Sequence, residues 1–140
     1  MIWSISVIEI GGIIINKKIL ESNYGKDLVN LYLIAGCYSN NKRLYLGIET
    51  EEELVNDITI NLTDVDLYFK DAVFLNSNLS NELKDILKKN GILGEYYYTQ
   101  QYNMGQYDCY MINLEKLKEY DPKGYNDFEK FNMLEDDYHV

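Results

Sequence analysis

The chain holds few of the side chains that do covalent chemistry. Its one histidine, His139, stands next to the last residue, where chains usually fray, so an imidazole general base is not expected. A cysteine nucleophile would lack that imidazole partner. Cys37 and Cys109 stand 72 positions apart with no Cys-x-x-Cys pair, so the spacing argues for neither a disulfide framework nor a zinc knuckle and predicts two free, buried thiols. Among 23 acidic residues no two stand out as a glycosidase-like pair. Gly11-Gly12 and Gly91-Ile92-Leu93-Gly94 lack the lysine and the strand-to-helix context of a phosphate cradle and read as turns and a helix stop. Asp64-Val65-Asp66 and Glu135-Asp136-Asp137 do not continue into the glycine turn and distal glutamate of a calcium loop. The sequence therefore assigns no catalytic residue, no metal and no cofactor, and the expected protein is not an enzyme.

What stands out instead is recognition chemistry. Six of the 14 tyrosines, Tyr96, Tyr97, Tyr98, Tyr102, Tyr107 and Tyr110, fall within fifteen residues. On a strand the consecutive Tyr96-Tyr97-Tyr98 must send at least one ring to each face. Exposed tyrosines give stiff, amphipathic contact area suited to interfaces, while cross-strand pairing explains such rings equally well. Thirteen basic residues against 23 acidic ones give a net charge of −10, which repels phosphate backbones, so direct nucleic-acid binding is not expected. The acidic excess sits in two blocks, residues 28–70 and 95–140. A rigid array of carboxylates can instead occupy a basic, nucleic-acid-holding channel. Glu51, Glu52, Glu53, Asp57, Asp64 and Asp66, with Tyr96, Tyr97, Tyr98 and Tyr102, are the candidate contact residues. The plain alternative is that the acidity only keeps the protein soluble. The one compact group of cationic and amide donors is Asn40, Asn41, Lys42 and Arg43, which suits an anion.

The elements that must position these groups follow from hydrophobic period. Ile2 to Ile10 alternates and Ile13 to Leu20 returns, a hairpin across Gly11-Gly12. Alternation over Val29 to Ala35 predicts a third strand, and Leu44, Leu46 and Ile48 a fourth. Glu49 to Glu53 is too charged for a sheet interior and reads as an exposed connection before a strand over Asp57 to Leu62. Leu79, Leu83, Ile86 and Leu87 repeat at helical spacing; Asn76-Ser77-Asn78 offers capping oxygens and Asn90-Gly91 a stop. Two tyrosine-rich strands follow, Tyr96 to Tyr102 and Tyr107 to Leu114, with a short helix near Asn126 to Leu134. The predicted fold is α+β: one twisted antiparallel sheet of about six to eight strands packed on one main helix. A chain of 140 residues makes one domain. No apolar run approaches the roughly 18 to 20 residues of a membrane-spanning helix. The start, Met1 to Val7, lacks the pattern of a signal peptide, so a cytoplasmic protein with no membrane partner is expected.

Tyr38-Ser39-Asn40-Asn41-Lys42-Arg43-Leu44, Ile58-Thr59-Ile60-Asn61-Leu62, Val73-Phe74-Leu75 and the helix ending Asn90-Gly91-Ile92 resemble an uncharacterised, domain-of-unknown-function family of small phage and mobile-element proteins found beside antirestriction-type genes. The resemblance implies a family-like core over residues 28–114, flanked by an N-terminal hairpin extension (1–27) and an acidic C-terminal extension (115–140) of the same single domain. It also implies a mobile-element origin, without supplying catalytic residues. Together with the charge it points to a non-enzymatic anti-defence inhibitor of the anti-CRISPR or antirestriction class, acting in a bacterial host cell on a defence nuclease or CRISPR effector. The alternatives are a protein that sequesters a nucleotide immune signal and a small acidic structural or regulatory protein.

Overall fold

The computed structural model describes residues 5–10, 13–22 and 30–137, and the side chains of 17–22 and 30–132 among them. Trp3, the Gly11-Gly12 turn, Asn23-Tyr24-Gly25, Val29 and His139 lie outside the described residues, as do the side chains of Glu135, Asp136 and Asp137. Among the described residues, nine strands and three helices follow in the order β1 (Ile5–Ile10), β2 (Ile13–Leu20), β3 (Leu31–Cys37), β4 (Leu44–Glu49), β5 (Leu54–Asp57), β6 (Thr59–Ile60), β7 (Ala72–Leu75), α1 (Asn81–Lys89), β8 (Leu93–Tyr102), β9 (Gly105–Ile112), α2 (Leu114–Tyr120) and α3 (Pro122–Asp137). The fold is α+β with antiparallel pairing, as alternation predicts. Its strands form a five-stranded sheet, β1-β2-β3-β4-β5, and a four-stranded sheet, β6-β7-β9-β8.

The strand expected over Asp57 to Leu62 is instead the hinge between the sheets. Ile58 donates its N–H to Leu46 O (2.9 Å) and accepts from Asn76 N (2.8 Å), so the chain leaves β4 and reaches β7 through one bent segment. The bend would orphan the Leu46 N–H, and the buried Thr59 hydroxyl accepts it at 3.2 Å. A β-branched polar residue is selected there because a buried backbone donor must be paired.

Three helices, rather than one main helix, close the larger core. Leu83, Ile86 and Leu87 of α1 are buried as the helical period predicts, and Leu117 and Tyr120 of α2 and Phe128 of α3 join them against Leu33, Leu46, Ile48, Val73 and Leu93. Residues 115–140, read above as an acidic extension, thus supply core side chains. The α1 N-cap is Ser80, whose hydroxyl accepts from Leu83 N at 3.2 Å. Asn76 is spent on the preceding turn, where its Oδ1 accepts from Asn78 N (3.3 Å), and the Asn78 Oδ1 accepts from Asn56 Nδ2 (3.4 Å). A smaller core of Leu62, Ala72, Phe74 and Cys109 lies on the other face of the second sheet, under the 61–71 loop. With both faces covered, every residue of β7 is buried, the expected outcome for a short continuous apolar run.

The helices are seated by one carboxylate. Only Ile19↔Tyr32 and Leu20↔Leu31 pair β2 with β3, so the main chain of Ala35 faces a gap. Asp121 fills it: Oδ2 accepts from Ala35 N at 2.8 Å and Oδ1 from Gly124 N at 3.3 Å. It thereby caps α3, with Pro122 at the first helical position, where its missing N–H costs nothing. Lys17, buried, sits 3.7 Å from Asp121 Oδ2 and 3.4 Å from Glu49 Oε1. A Cβ on Gly124 would stand 2.0 Å from Ala35 O, so glycine is what lets the helix start against the strand.

Asp121→Ala should therefore destabilise the fold by roughly 3 kcal/mol, because it removes hydrogen bonds to a charged acceptor and leaves Lys17 buried with one partner. Gly124→Ala should cost about 3 kcal/mol or more although alanine favours helices, because the new methyl meets backbone. Urea midpoints of both variants check this; a Gly124→Ala midpoint at or above wild type refutes the close approach.

A second expectation concerns acid stability. Hydrogen bonds from Lys18 (2.5 Å) and Lys116 (3.1 Å) hold the Glu119 carboxyl below its ordinary 4.5, and the same contact with Glu119 raises Lys18. The Glu119 contribution is fully present above pH 4.5 and fades as pH falls through the depressed folded value. Glu119 is exposed, so the contribution is below about 1 kcal/mol. The melting-temperature gap between wild type and Glu119→Gln should be present at neutral pH and close on acidification.

Candidate functional site

The tyrosines sit on the β8–β9 hairpin, and its ladder decides where they point. Between Tyr96↔Tyr110 and Tyr98↔Cys109 the register shifts by one residue, so Tyr97 is an inserted, bulged position. Tyr96 packs edge-on to Tyr110 at 5.6 Å, on the face where Lys84 and Lys88 of α1 lie over the Tyr110 ring. Tyr97 and Tyr98 both turn to the opposite face. Their rings are 5.1 Å apart; Tyr97 meets Phe69 at 5.7 Å and Tyr98 meets Phe74 at 6.2 Å.

The 61–71 loop completes this face. Val65 and Leu67 are anchored in the smaller core, while Tyr68 is 74% exposed and Phe69 46%. Arg43, the only arginine in the chain, clamps the loop from the adjoining turn by donating to Leu62 O at 2.9 Å and to Val65 O. Asn61 bonds Asn41 at 3.0 Å and Asn40 at 3.1 Å. Asp64 accepts from the Tyr102 hydroxyl at 3.3 Å, and Tyr102 packs on Tyr107. Burial first, then the Asp64 carboxylate, push the Tyr102 phenol above its ordinary value; burial does the same to Tyr98. Both remain neutral hydrogen-bond donors at physiological pH.

The structure thus brings Asp64, Tyr97, Tyr98 and Tyr102 to one face, with Asp66 exposed in the same loop. Tyr96 faces the other way. The glutamates are elsewhere: Glu51, Glu52 and Glu53 form the exposed turn between β4 and β5, where the Thr50 hydroxyl accepts from Glu52 N and Glu53 N at 3.2 Å. Glu51 accepts from the buried Tyr32 at 3.0 Å. Asp57 accepts from Tyr45 at 2.7 Å, and burial with this carboxylate raises the Tyr45 phenol. Among the described residues no hydrogen bond, ion pair or ring contact joins the glutamate turn to the tyrosine face. Burial also raises both thiols, Cys37 half-buried and Cys109 buried.

Sequence reasoning missed Tyr68, Phe69 and Met104. The Tyr68-Phe69 pair after two aspartates was a usable signal, because adjacent rings in a polar segment cannot both be buried by alternation. Met104 lies at the hairpin tip, fully exposed. Asn103 (φ 44°) and Met104 (φ 66°) are both left-handed, the two-residue turn that favours Asn-Gly.

The anionic face borders a cationic cavity of about 210 Å³, lined by Asn41, Lys42, Arg43, Leu67, Phe69, Lys70 and Asn132. No group of three or more histidine, cysteine, aspartate or glutamate side chains converges as a metal site among the described residues, and no helix there is long and apolar enough to cross a membrane.

A family model described as Domain of unknown function (DUF4313) matches residues 33–132, and the chain belongs to that family. The match runs from β3 through α2 into α3, beyond the 28–114 stretch that carries the resemblance, and so includes the Asp121 junction. No curated protein and no solved structure matches the chain.

Met104 should be replaceable by glycine with a gain. A non-glycine residue in the left-handed region costs roughly 1–2 kcal/mol, and the exposed side chain contributes no packing. Met104→Gly should therefore raise stability by about 1 kcal/mol, read as a higher urea midpoint with an unchanged slope. A lower midpoint would mean that the Met104 side chain supports the hairpin.

Proposed function

We propose that the chain is a non-enzymatic binding protein that docks a basic protein surface through the face built by the β8–β9 hairpin and the 61–71 loop. The observation that carries the reading is the exposed aromatic set Tyr68, Phe69 and Tyr97, edged by Asp64 and Asp66. Large rings left in water beside carboxylates suit a partner with an apolar anchor point inside a basic rim. The net charge of −10 supports long-range attraction to such a partner. The resemblance to mobile-element proteins beside antirestriction-type genes supplies the partner class: a host defence nuclease, such as a CRISPR effector, whose nucleic-acid channel is basic. The protein would then act as an anti-defence inhibitor in the bacterial cytoplasm.

The two groups of candidate residues have different parts in this reading. Phe69 and Tyr97 make direct contact and hold the complex together. Glu51, Glu52 and Glu53, away from the aromatic face, add to the field that steers encounter. The test is binding of the purified protein to purified CRISPR effectors and restriction nucleases by biolayer interferometry, with nuclease cleavage assayed in parallel. Phe69→Ala with Tyr97→Ala should weaken binding by about tenfold or more, mainly through faster dissociation. Reversing Glu51, Glu52 and Glu53 to Lys should slow association and flatten its salt dependence, since screening acts over about 10 Å at 0.1 M salt. Absence of saturable binding to any of these nucleases at low salt, or a double alanine variant that dissociates like wild type, would falsify the reading.

A further inference from the structure

We infer that the cavity between the 39–43 turn, the 61–71 loop and α3 is a binding site for a small phosphomonoester, bordering the protein-docking face and sharing Phe69 with it. Its lining runs against the character of the chain. In a protein of net charge −10, three of 13 basic residues, Lys42, Arg43 and Lys70, converge on one cavity of about 210 Å³ with the amides of Asn41 and Asn132. The carboxylate ion-paired with these cations among the described residues is Glu129, whose Oε1 lies 3.8 Å from Lys70 Nζ. That separation is too long for a hydrogen bond. Among the described residues cations outnumber carboxylates there, and beyond about 8–10 Å other surface charge is largely screened.

Two of the three cations, Lys42 and Arg43, are also held in place before any ligand arrives. Lys42 has φ 62°, an uncommon backbone state for a residue other than glycine, asparagine or aspartate. It is fixed by Lys42 N donating to Tyr38 O and Tyr38 N donating to Arg43 O, both at 2.9 Å. Its Nζ donates to Ser39 O at 2.9 Å and lies 4.8 Å from the Phe131 ring centre. Arg43 is committed to Leu62 O and Val65 O through one N–H of each terminal nitrogen, and a guanidinium has five. Asn132 spends both Nδ2 hydrogens on Lys42 O (3.3 Å) and Phe128 O (2.8 Å), so it braces the turn and is not itself a donor to the ligand. Cations braced around a cavity, with the second N–H of Asn41, are the arrangement that binds phosphate oxygens through charge-assisted hydrogen bonds.

The remaining walls, Leu67 and Phe69, say what the phosphate is attached to. They offer an aliphatic side chain and an aromatic ring, suited to a short or flat organic group. The volume is below the roughly 300–1,000 Å³ of sites for drug-sized ligands, so a monophosphate with one small ring system suits it better than a dinucleotide.

Titration of the isotopically labelled protein with orthophosphate, adenosine 5′-monophosphate and adenosine, followed by amide NMR shifts, tests the inference. The monophosphate should bind saturably with a Kd below about 1 mM, orthophosphate more weakly and adenosine undetectably. Lys42→Gly with Lys70→Ala should weaken the monophosphate at least about tenfold. Because glycine suits the backbone of position 42, this variant should melt no lower than wild type, which separates a ligand role from a structural one. Lys118→Ala, which removes an exposed basic residue of α2 that does not line the cavity, should leave the titration unchanged. No saturable shift with either phosphate, equal affinity for adenosine, or an unaffected double variant overturns the inference. Orthophosphate binding as tightly as the monophosphate overturns the role given to Leu67 and Phe69.

Discussion

Asp121 is the constraint on which the arrangement depends. An antiparallel sheet that loses a neighbour along part of one strand exposes main-chain groups that must be paired. β2 pairs with β3 over only two residue pairs, and in place of the missing strand stands a carboxylate whose two oxygens serve Ala35 and Gly124 while Lys17 balances its charge. One side chain thus ends the sheet and starts a helix. Burying a charged pair is favourable only when its hydrogen bonds are made, and here the acceptors are used.

The consequence propagates along α3. With its first turn pressed on β3, the helix delivers Phe128 to the core and, one turn further, Asn132 to the Lys42 carbonyl. The 39–43 turn is therefore braced from two sides: by α3 at Lys42, and by the 61–71 loop through Arg43 and the Asn40, Asn41 and Asn61 amides. A second polar staple closes the other end of the core. Asn90, buried at the end of α1, accepts from Glu21 N and the Tyr120 hydroxyl and donates to Glu21 O and Ile86 O. Both staples use side chains whose hydrogen-bonding capacity is nearly filled, the condition under which buried polar groups specify one packing.

Periodicity reveals what is regular and hides what is local. Leu44, Leu46 and Ile48, and Leu83, Ile86 and Leu87, were legible because each set repeats at the period of its own element and faces a core. The junction at Ile58 was not, because a strand that changes sheets keeps its alternation through the bend. α3 was seen only as a short helix: its apolar residues are sparse, and its seat depends on Asp121, Pro122 and Gly124 rather than on a hydrophobic stripe. At the candidate site, the tyrosine cluster was visible by composition, while the bulge that turns Tyr97 beside Tyr98 was not, since one inserted residue leaves no mark on the sequence. Grouping the glutamates of residues 51–53 with those tyrosines followed from charge alone, and charge carries no information about which loops meet.

The 61–71 loop joins features of opposite character. Its buried side, Leu62, Val65 and Leu67, fills the smaller core; its exposed side gives Asp64 and Asp66 to one surface and Lys70 to another. Phe69 belongs to both, touching Tyr97 and lining the cationic cavity. A loop this size lacks internal hydrogen-bonded ladders, so its conformation is set by what clamps it, and the clamp is Arg43. Arginine suits the position because a planar fork can hold two carbonyls three residues apart while remaining charged. A lysine would supply one mobile point charge and leave a carbonyl without its donor. Arg43 therefore bears on both surfaces through geometry, because losing it would release Phe69 from the tyrosine face and the cavity wall together.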